Sequence, residues 1–362
     1  MEHTQNQRLN RCGLRRRTFA MASMLAMAAA VLTGCASGKA TGDASQVTPS
    51  SGGGATVGAK SDGKVSIYVI GGKADDPFWS SVKRGAEDAA TLVKAKGGSV
   101  TFLGPQNYDN LGPDAAKLTL TALSQNPSAI VVPDWVPENQ DAAIKQAVAK
   151  GVKVFIYNSG GAEAAQRTGG IKYIGTDEYE AGKAGGAKLG EDGAKNILCV
   201  NTLPGSANSE ARCKGIADGA KSKGGASKQL PLPSSNLGNP SAVTQAIKGA
   251  LLKDKDVDTV VTIGAQDADS AAAAIEQAGA ASKVKLGTFD VSDSQLNRIK
   301  AGKQVFAIDQ QPYLQGFYAV SVASQYLSYG VLPPQNPLLT GPLLITKENV
   351  DAAIAGTKAG VR

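Results

Sequence analysis

An α/β fold of two doubly wound parallel-sheet lobes, joined by a multi-strand hinge, is the architecture this sequence predicts. Two observations carry the expectation. From Lys64 onward, short apolar runs alternate with longer amphipathic ones, and the alternation starts again near Tyr173. Repetition of this kind builds a parallel sheet with helices on both faces. The roughly 300 residues after Lys64 are enough for two well-formed cores.

The first set of strands and helices reads Val65–Ile70, Phe78–Lys96, Val100–Leu103, Asp114–Ser124, Ala129–Val132, Glu138–Lys150 and Lys153–Tyr157. The second reads Tyr173–Ile174, Tyr179–Leu189, Asn196–Val200, Ser209–Ser222, Ser241–Lys253, Thr259–Ile263, Asp269–Ala278, Lys283–Gly287, Ser292–Ile299 and Val305–Ile308. Gly97, Gly151 and Gly302 each follow the end of a predicted helix, where a left-handed cap is cheapest for a residue without a side chain. Gly71-Gly72-Lys73 follows the first strand but lacks the third glycine of a dinucleotide-binding turn, so a nucleotide site is not supported.

Ahead of this folded part, Arg15-Arg16-Arg17 precede an apolar stretch from Phe19 to Leu32, too short for a permanent membrane span. Leu32-Thr33-Gly34-Cys35 closes it and resembles the lipobox of bacterial lipoproteins, which implies a signal peptide over 1–34 and lipidation at Cys35. The plainer reading is a free cysteine after an ordinary signal. Arg16-Arg17-Thr18-Phe19 also resembles a twin-arginine motif without its usual preceding polar residue, so the general secretory and twin-arginine routes both stay open. Residues 35–63 are rich in Gly, Ser and Thr with almost no large apolar side chain, as expected of a flexible tether.

Removal of the signal changes the charge argument. Residues 1–34 hold five arginines and one glutamate, a net of +4 out of +7 for the whole chain, so the exported part is only about +3. No dense basic stretch with interleaved aromatics follows, and no nucleic-acid partner is expected. The single histidine, His3, leaves with the signal, which excludes His-dependent nucleophilic catalysis and His-ligated metal. No metal or other cofactor is expected. Cys199 and Cys213 remain, either as a disulfide or as two buried thiols.

Ligands of open parallel sheets bind beyond the carboxyl ends of the strands. Those ends carry Asp76, Phe78 and Trp79 after the first strand, Asp134 and Trp135 after the third, and Asn158 after the fourth. Arg212, Asp290 and Gln310 follow later strands. Carboxylates, amides, a guanidinium and flat rings at one edge suit a neutral polyhydroxylated molecule and suit phosphate poorly. Each residue also has a structural reading: an acid before Pro77 is a good helix cap, Phe78 and Trp79 fit a core, and Arg212 fits a solvated helix face.

The order of these motifs resembles the type I periplasmic binding proteins, in particular the ribose-binding-like branch that serves sugar ABC transporters, over about residues 64–345. Asp-Asp-Pro-Phe-Trp at 75–79 is similar to the family's Asn-Asn-Pro-Phe-Phe. Val154 to Ser159 is similar to the strand that usually ends in Asp-Arg, with Asn158 and Ser159 in those places. Tyr173 to Asp177 and Ala307 to Pro312 resemble interlobe crossovers, Arg212 before Gly215-Ile216 matches the family arginine, and Gly287 to Asp290 matches Gly-Phe-Asp. Gln266-Asp267 sits where an Asn-Asp pair is common. The resemblance implies ligand contacts from all of these, a third crossover near Leu338, and lobes of 64–176 with 311–338 and 177–310 with 339–362.

The resemblance further implies a monomeric, non-enzymatic solute-binding lipoprotein outside the cytoplasm. It would close on a monosaccharide or sugar-like polyol and pass it to a membrane permease of an ABC importer. Two other readings share parts of the inventory: a sugar-sensing receptor subunit, and a secreted carbohydrate-active enzyme using paired acids such as Asp76 and Asp290. A repressor with similar lobes is disfavoured, since an export signal stands where DNA-binding helices would be.

Overall fold

A computed structural model describes residues 64–362. The expected signal peptide, Cys35 and the tether lie outside the described residues. Within them, β1 (Ser66–Ile70), α1 (Pro77–Ala95), β2 (Ser99–Leu103), α2 (Leu111–Ser124), β3 (Ala129–Val132), α3 (Pro137–Ala149), β4 (Lys153–Tyr157), α4 (Gly161–Thr168) and β5 (Tyr173–Thr176) form the first lobe's main run. The second run comprises α5 (Glu178–Glu191), β6 (Asn196–Asn201), α6 (Ala207–Ser222), β7 (Ala226–Pro231), α7 (Pro240–Lys253), β8 (Thr259–Thr262), α8 (Ala265–Gln277), β9 (Lys285–Phe289), α9 (Asp293–Lys300) and β10 (Phe306–Asp309). The chain then returns through α10 (Pro312–Tyr329) and β11 (Leu338–Gly341) before β12 (Leu343–Ile345) and α11 (Val350–Ala359).

The two sheets have the same wiring, β2-β1-β3-β4-β5-β11 and β7-β6-β8-β9-β10-β12. All neighbours are parallel except β12, which runs antiparallel to β10. In each sheet the order reverses beside its first-formed strand, between β1 and β3 and between β6 and β8, and ligands of such sheets bind at that reversal. The chain changes sheet after Thr176, after Asp309 and between Gly341 and Pro342, so β11 stays in the first sheet three residues beyond Leu338.

Central strands are buried on both faces, which explains their unbroken apolar runs: every residue of β3, β5, β8 and β10 is buried. Alternate side chains split between two cores. Ile67 and Val69 pack under α1 and α10, whereas Ile70 and Ile130 pack on the opposite face with Ile144. Each such aliphatic side chain contributes about 1.5–3 kcal/mol on burial. Pro77 opens α1 with Asp76 as its cap, and Gly97, Gly151 and Gly302 do take the left-handed conformation at the ends of α1, α3 and α9.

Helices α5 and α6 lie unusually close. A Cβ on Gly182 would collide with the Arg212 carbonyl oxygen, and one on Gly215 with the Tyr179 carbonyl oxygen. Only glycine permits this backbone approach. Cys199 on β6 and Cys213 on α6 form a disulfide that ties the same helix to its sheet. Among the described residues, no helix is long and apolar enough to cross a membrane.

Candidate functional site

A cavity of about 310 Å³ lies between the carboxyl edges of the two sheets. The first lobe supplies Asp76, Phe78 and Trp79 from the β1–α1 turn, Trp135 after β3 and Asn158 after β4. The second supplies Arg212 from α6, Gln266 and Asp267 from the start of α8, and Asp290 after β9, with Gln310 at the crossover. Ten of the eleven predicted ligand contacts thus line one space.

Asp134 is the exception and a correction. Its side chain is fully buried and its carboxylate is ion-paired to Arg167, which also binds Asp141 at 2.9 Å. It does not line the cavity. Burial, with Asp141 adding to it, pushes the Asp134 carboxyl up to about 6 despite the guanidinium. Its role is to fix the loop after β3, where its carbonyl accepts the Ser159 hydroxyl at 3.1 Å.

The first lobe's wall is aromatic. Trp79 meets Phe78, Trp135 and Tyr157 edge to face, with ring centroids 5.2, 5.4 and 6.3 Å apart. Trp135 Nε1 donates to Asn158 Oδ1 at 3.2 Å, and Asn158 Nδ2 donates to Gln315 Oε1 at 3.1 Å. Asn158 is therefore locked before any ligand arrives. It sits at φ +60°, and Asp290 takes φ +64° at the equivalent place after β9. Asn and Asp tolerate this left-handed region best among residues with a side chain.

Asp76 serves three purposes. Its Oδ1 caps α1 by accepting from the amides of Phe78 (2.9 Å) and Trp79 (3.4 Å). Its Oδ2 accepts from the Tyr108 hydroxyl at 3.3 Å and from Gln266 Nε2 at 2.8 Å. The last bond crosses between lobes, as does the Ala207 amide to the Trp135 carbonyl at 2.8 Å. The lobes are thus in direct contact through two interlobe hydrogen bonds, a closed arrangement. Burial raises the Asp76 carboxyl above its ordinary value, and the hydrogen bonds only partly oppose it.

The second lobe's wall is charged. Arg212 is 5% exposed, its Nε donating to Glu178 Oε2 at 2.6 Å and its Nη1 to the Ile263 carbonyl at 2.7 Å. Its guanidinium carbon lies 4.7 Å from the centre of the Phe289 ring. Burial works against the guanidinium charge, but Glu178 and Asp290 more than restore it. Asp267, 2% exposed, accepts the Thr202 hydroxyl at 2.6 Å, and burial lifts it to about 6. Asp290 accepts from Gln310 Nε2, and burial lifts it to about 7 even beside Arg212.

Glu178, which supports the site from outside the lining, was not foreseen, nor were lining residues such as Thr202, Tyr108, Asn208, Ser209 and Arg362. Glu178 reads in sequence as an ordinary acid in a first helical turn, and only the close approach of α5 to α6 reveals its partner. Tyr108, Asn208 and Ser209 also line the cavity, from loops and a helix start that carry no recognisable pattern. Ser209 Oγ and Gln310 Oε1 are buried there without a hydrogen-bond partner. Native proteins rarely leave such atoms unpaired, so they mark polar contacts meant for something else.

Two lobes joined by three crossovers around a polar cavity define the class of solute-binding proteins. The family model for the periplasmic binding protein domain matches residues 67–330, and the chain belongs to that family. A carbohydrate transporter from Acidothermus cellulolyticus, solved in complex with myo-inositol, is 29% identical with a TM-score of 0.75, over 83% of this chain and 100% of that one. The xylose/arabinose-binding protein XylF of Sulfolobus acidocaldarius is 23% identical over 324 residues, 81% of this chain and 73% of that protein. An ABC transporter periplasmic solute binding protein from Actinobacillus succinogenes with bound D-allose shares the fold at 21% identity and a TM-score of 0.67, covering 80% and 100% of the two chains. The paired sheets are those of the type I periplasmic binding protein fold, and the family implies an extracytoplasmic location.

Proposed function

We propose that this protein captures a monosaccharide or sugar-like polyol, cyclitols included, in the cavity between its lobes and delivers it unchanged to an ABC importer permease. The unpartnered Ser209 Oγ and Gln310 Oε1, buried opposite an aromatic wall, carry the reading. Hydroxyls fit the polar side and C–H faces fit the rings. The cavity volume stands at the small end of the ~300–1,000 Å³ usual for ligand sites, which suits one ring rather than an oligosaccharide.

In this reading the lobes are 64–176 with 311–341 and 177–310 with 342–362, hinged at the three passages between sheets. Closure follows the hinge motion for which periplasmic binding proteins are the standard example, and a ligand shifts the population by its preference for the closed form. Export with lipidation at Cys35, in a monomer tethered by residues 36–63, fits delivery to a membrane permease. The similarity to the inositol-bound Acidothermus transporter supports a ring polyol. A thermal-shift and calorimetric panel of pentoses, hexoses and inositols is the test: one selective binder that raises Tm is expected. Failure of every ring to bind, or recovery of a chemically altered ring, overturns it.

A further inference from the structure

The charge inventory of the cavity points beyond a neutral sugar. Two guanidinia reach the lining, and each is already engaged by a buried acid. Arg212 is held by Glu178 at 2.6 Å, and Arg362 stands 3.3 Å from Asp309. Neither Glu178 nor Asp309 is part of the lining. That leaves Asp76, Asp267, Asp290 and Asp293 in the lining; the first three have hydroxyl, amide and backbone N–H donors as hydrogen-bond partners, Arg212 also acts on Asp290 from nearby, and no lysine lines the space. Unbalanced buried carboxylates are expensive unless a cation meets them.

Hydrogen-bond direction agrees. Gln310 turns its Nε2 to Asp290, leaving Oε1 as a buried acceptor without a partner. Asp267, 98% buried by its 2% exposure, has the Thr202 hydroxyl as its one donor among the described residues, and that donor serves Oδ2 alone. Around Asp267 and Gln310 acceptors therefore exceed donors, whereas the buried, unpartnered Nη1 of Arg362 is a donor in the same lining. An ammonium group brings three donors and no acceptor, whereas each hydroxyl brings one donor together with acceptor demand of its own. Among the described residues no three acidic side chains converge closely enough to hold a metal ion, and a cation carried on a bound ring fits the two-lobed cavity.

We propose that the preferred ligand is a cationic amino-polyol, an amino sugar or aminocyclitol whose ammonium group is received by the Asp267 carboxylate with Asp76 and Asp290 nearby. This inference rests on the sugar-binding reading above and narrows its ligand. Burial-raised carboxyls at Asp267 and Asp290 are in keeping with it, since a bound cation would restore their ionised form.

Calorimetry at pH 7 on the purified protein tests it with matched pairs: glucosamine against glucose, and an inosamine against myo-inositol. The amines are expected to bind roughly tenfold or more tightly than their neutral partners, an advantage that added salt reduces. Asp267→Asn, whose fold is checked by circular dichroism and thermal melting, is expected to weaken binding of both ligands but that of the amine roughly tenfold more, removing most of that advantage. Neutral rings that bind as tightly as the amines or more so overturn the inference and leave the sugar-binding reading standing. Binding of neither form overturns both. An amine advantage unchanged in Asp267→Asn overturns the assignment to that carboxylate.

Discussion

The two lobes share one wiring diagram but furnish the cavity differently. The first presents Trp79, Trp135, Phe78 and an asparagine whose amide is already bonded on both sides. The second presents Arg212, Asp267 and Asp290 on a scaffold drawn tight by Gly182, Gly215 and the Cys199–Cys213 disulfide. Even the matched left-handed residues follow the division, amide at 158 and carboxylate at 290. One half is a shaped apolar platform and the other a charged grip. Duplicated topology therefore fixes where side chains gather, while the choice of side chain at equivalent positions divides the labour.

The sharpest way to break this division is Arg212→Ala. It strips the second lobe of one of its two lining guanidinia and leaves Glu178 buried and unpaired, so stability should fall by about 3–5 kcal/mol. Affinity for the ligand should also fall by about 2 kcal/mol or more. Calorimetry showing unchanged affinity would remove Arg212 from the site. Reduction of the disulfide comes next: releasing a loop of about 15 residues should lower stability by about 3 kcal/mol, read as a drop in Tm with reductant. A Cys213→Ser variant that melts like the parent would deny that the crosslink braces the charged lobe.

On the platform side, Trp135→Phe keeps a ring but removes the donor to Asn158 Oδ1. A buried acceptor left alone costs about 1–3 kcal/mol, so a smaller loss of stability is expected, with ligand affinity changed less than in Arg212→Ala. The reverse ranking would invert the comparison. Gln266→Ala deletes the bond to Asp76 that joins the two halves. About 1 kcal/mol should pass to the open form, visible as a larger radius of gyration by small-angle scattering without ligand and a several-fold weaker binding. Identical scattering would show that the contact does not hold the lobes together.

The smallest effect concerns pH. Burial holds Asp267 and Asp134 at about 6 and Asp290 at about 7, against an ordinary 3.8. Between about pH 4 and 7 the folded protein thus binds more protons than the unfolded chain, so these groups make stability fall as pH rises and level off above that window. Asp141 and Asp254, whose carboxyls are lowered, withdraw their support only on further acidification, below the ordinary value. Without ligand, Tm should climb modestly from pH 7 to pH 5. A fall across that interval would mean that these carboxylates are better paired than their contacts suggest.

Much of this was legible in advance because parallel strands buried on both faces write themselves as unbroken apolar runs. Ala129–Val132 and Lys153–Tyr157 begin and end where the sequence places them. The edge strand β7, Ala-Ser-Lys-Gln-Leu-Pro, is mostly exposed and carries no such run. β11 and β12 are too short to show a period, α4 spans only eight residues, α11 is a small-residue helix with little apolar contrast, and α10 mixes apolar and polar residues without a clear stripe. Cavity-lining residues were legible where a strand end met a familiar motif, as at Asp76, Arg212 and Asp290. Asp134 satisfied the same rule of position but turns away to Arg167, a direction that only tertiary packing decides. Glu178 lay hidden for the opposite reason, because its partner is 34 residues away on a neighbouring helix.

The contact of α5 with α6 through bare backbone has a kinetic corollary. Glu178 is the first residue of α5, two positions past the passage at Thr176, yet it is ion-paired to Arg212 within the second lobe. In the proposed hinge motion the pair would travel intact, its dehydration settled at folding rather than at each encounter with a solute. Capture can therefore proceed without rebuilding its principal charge, the kind of preorganisation that favours fast, repeatable turnover of cargo.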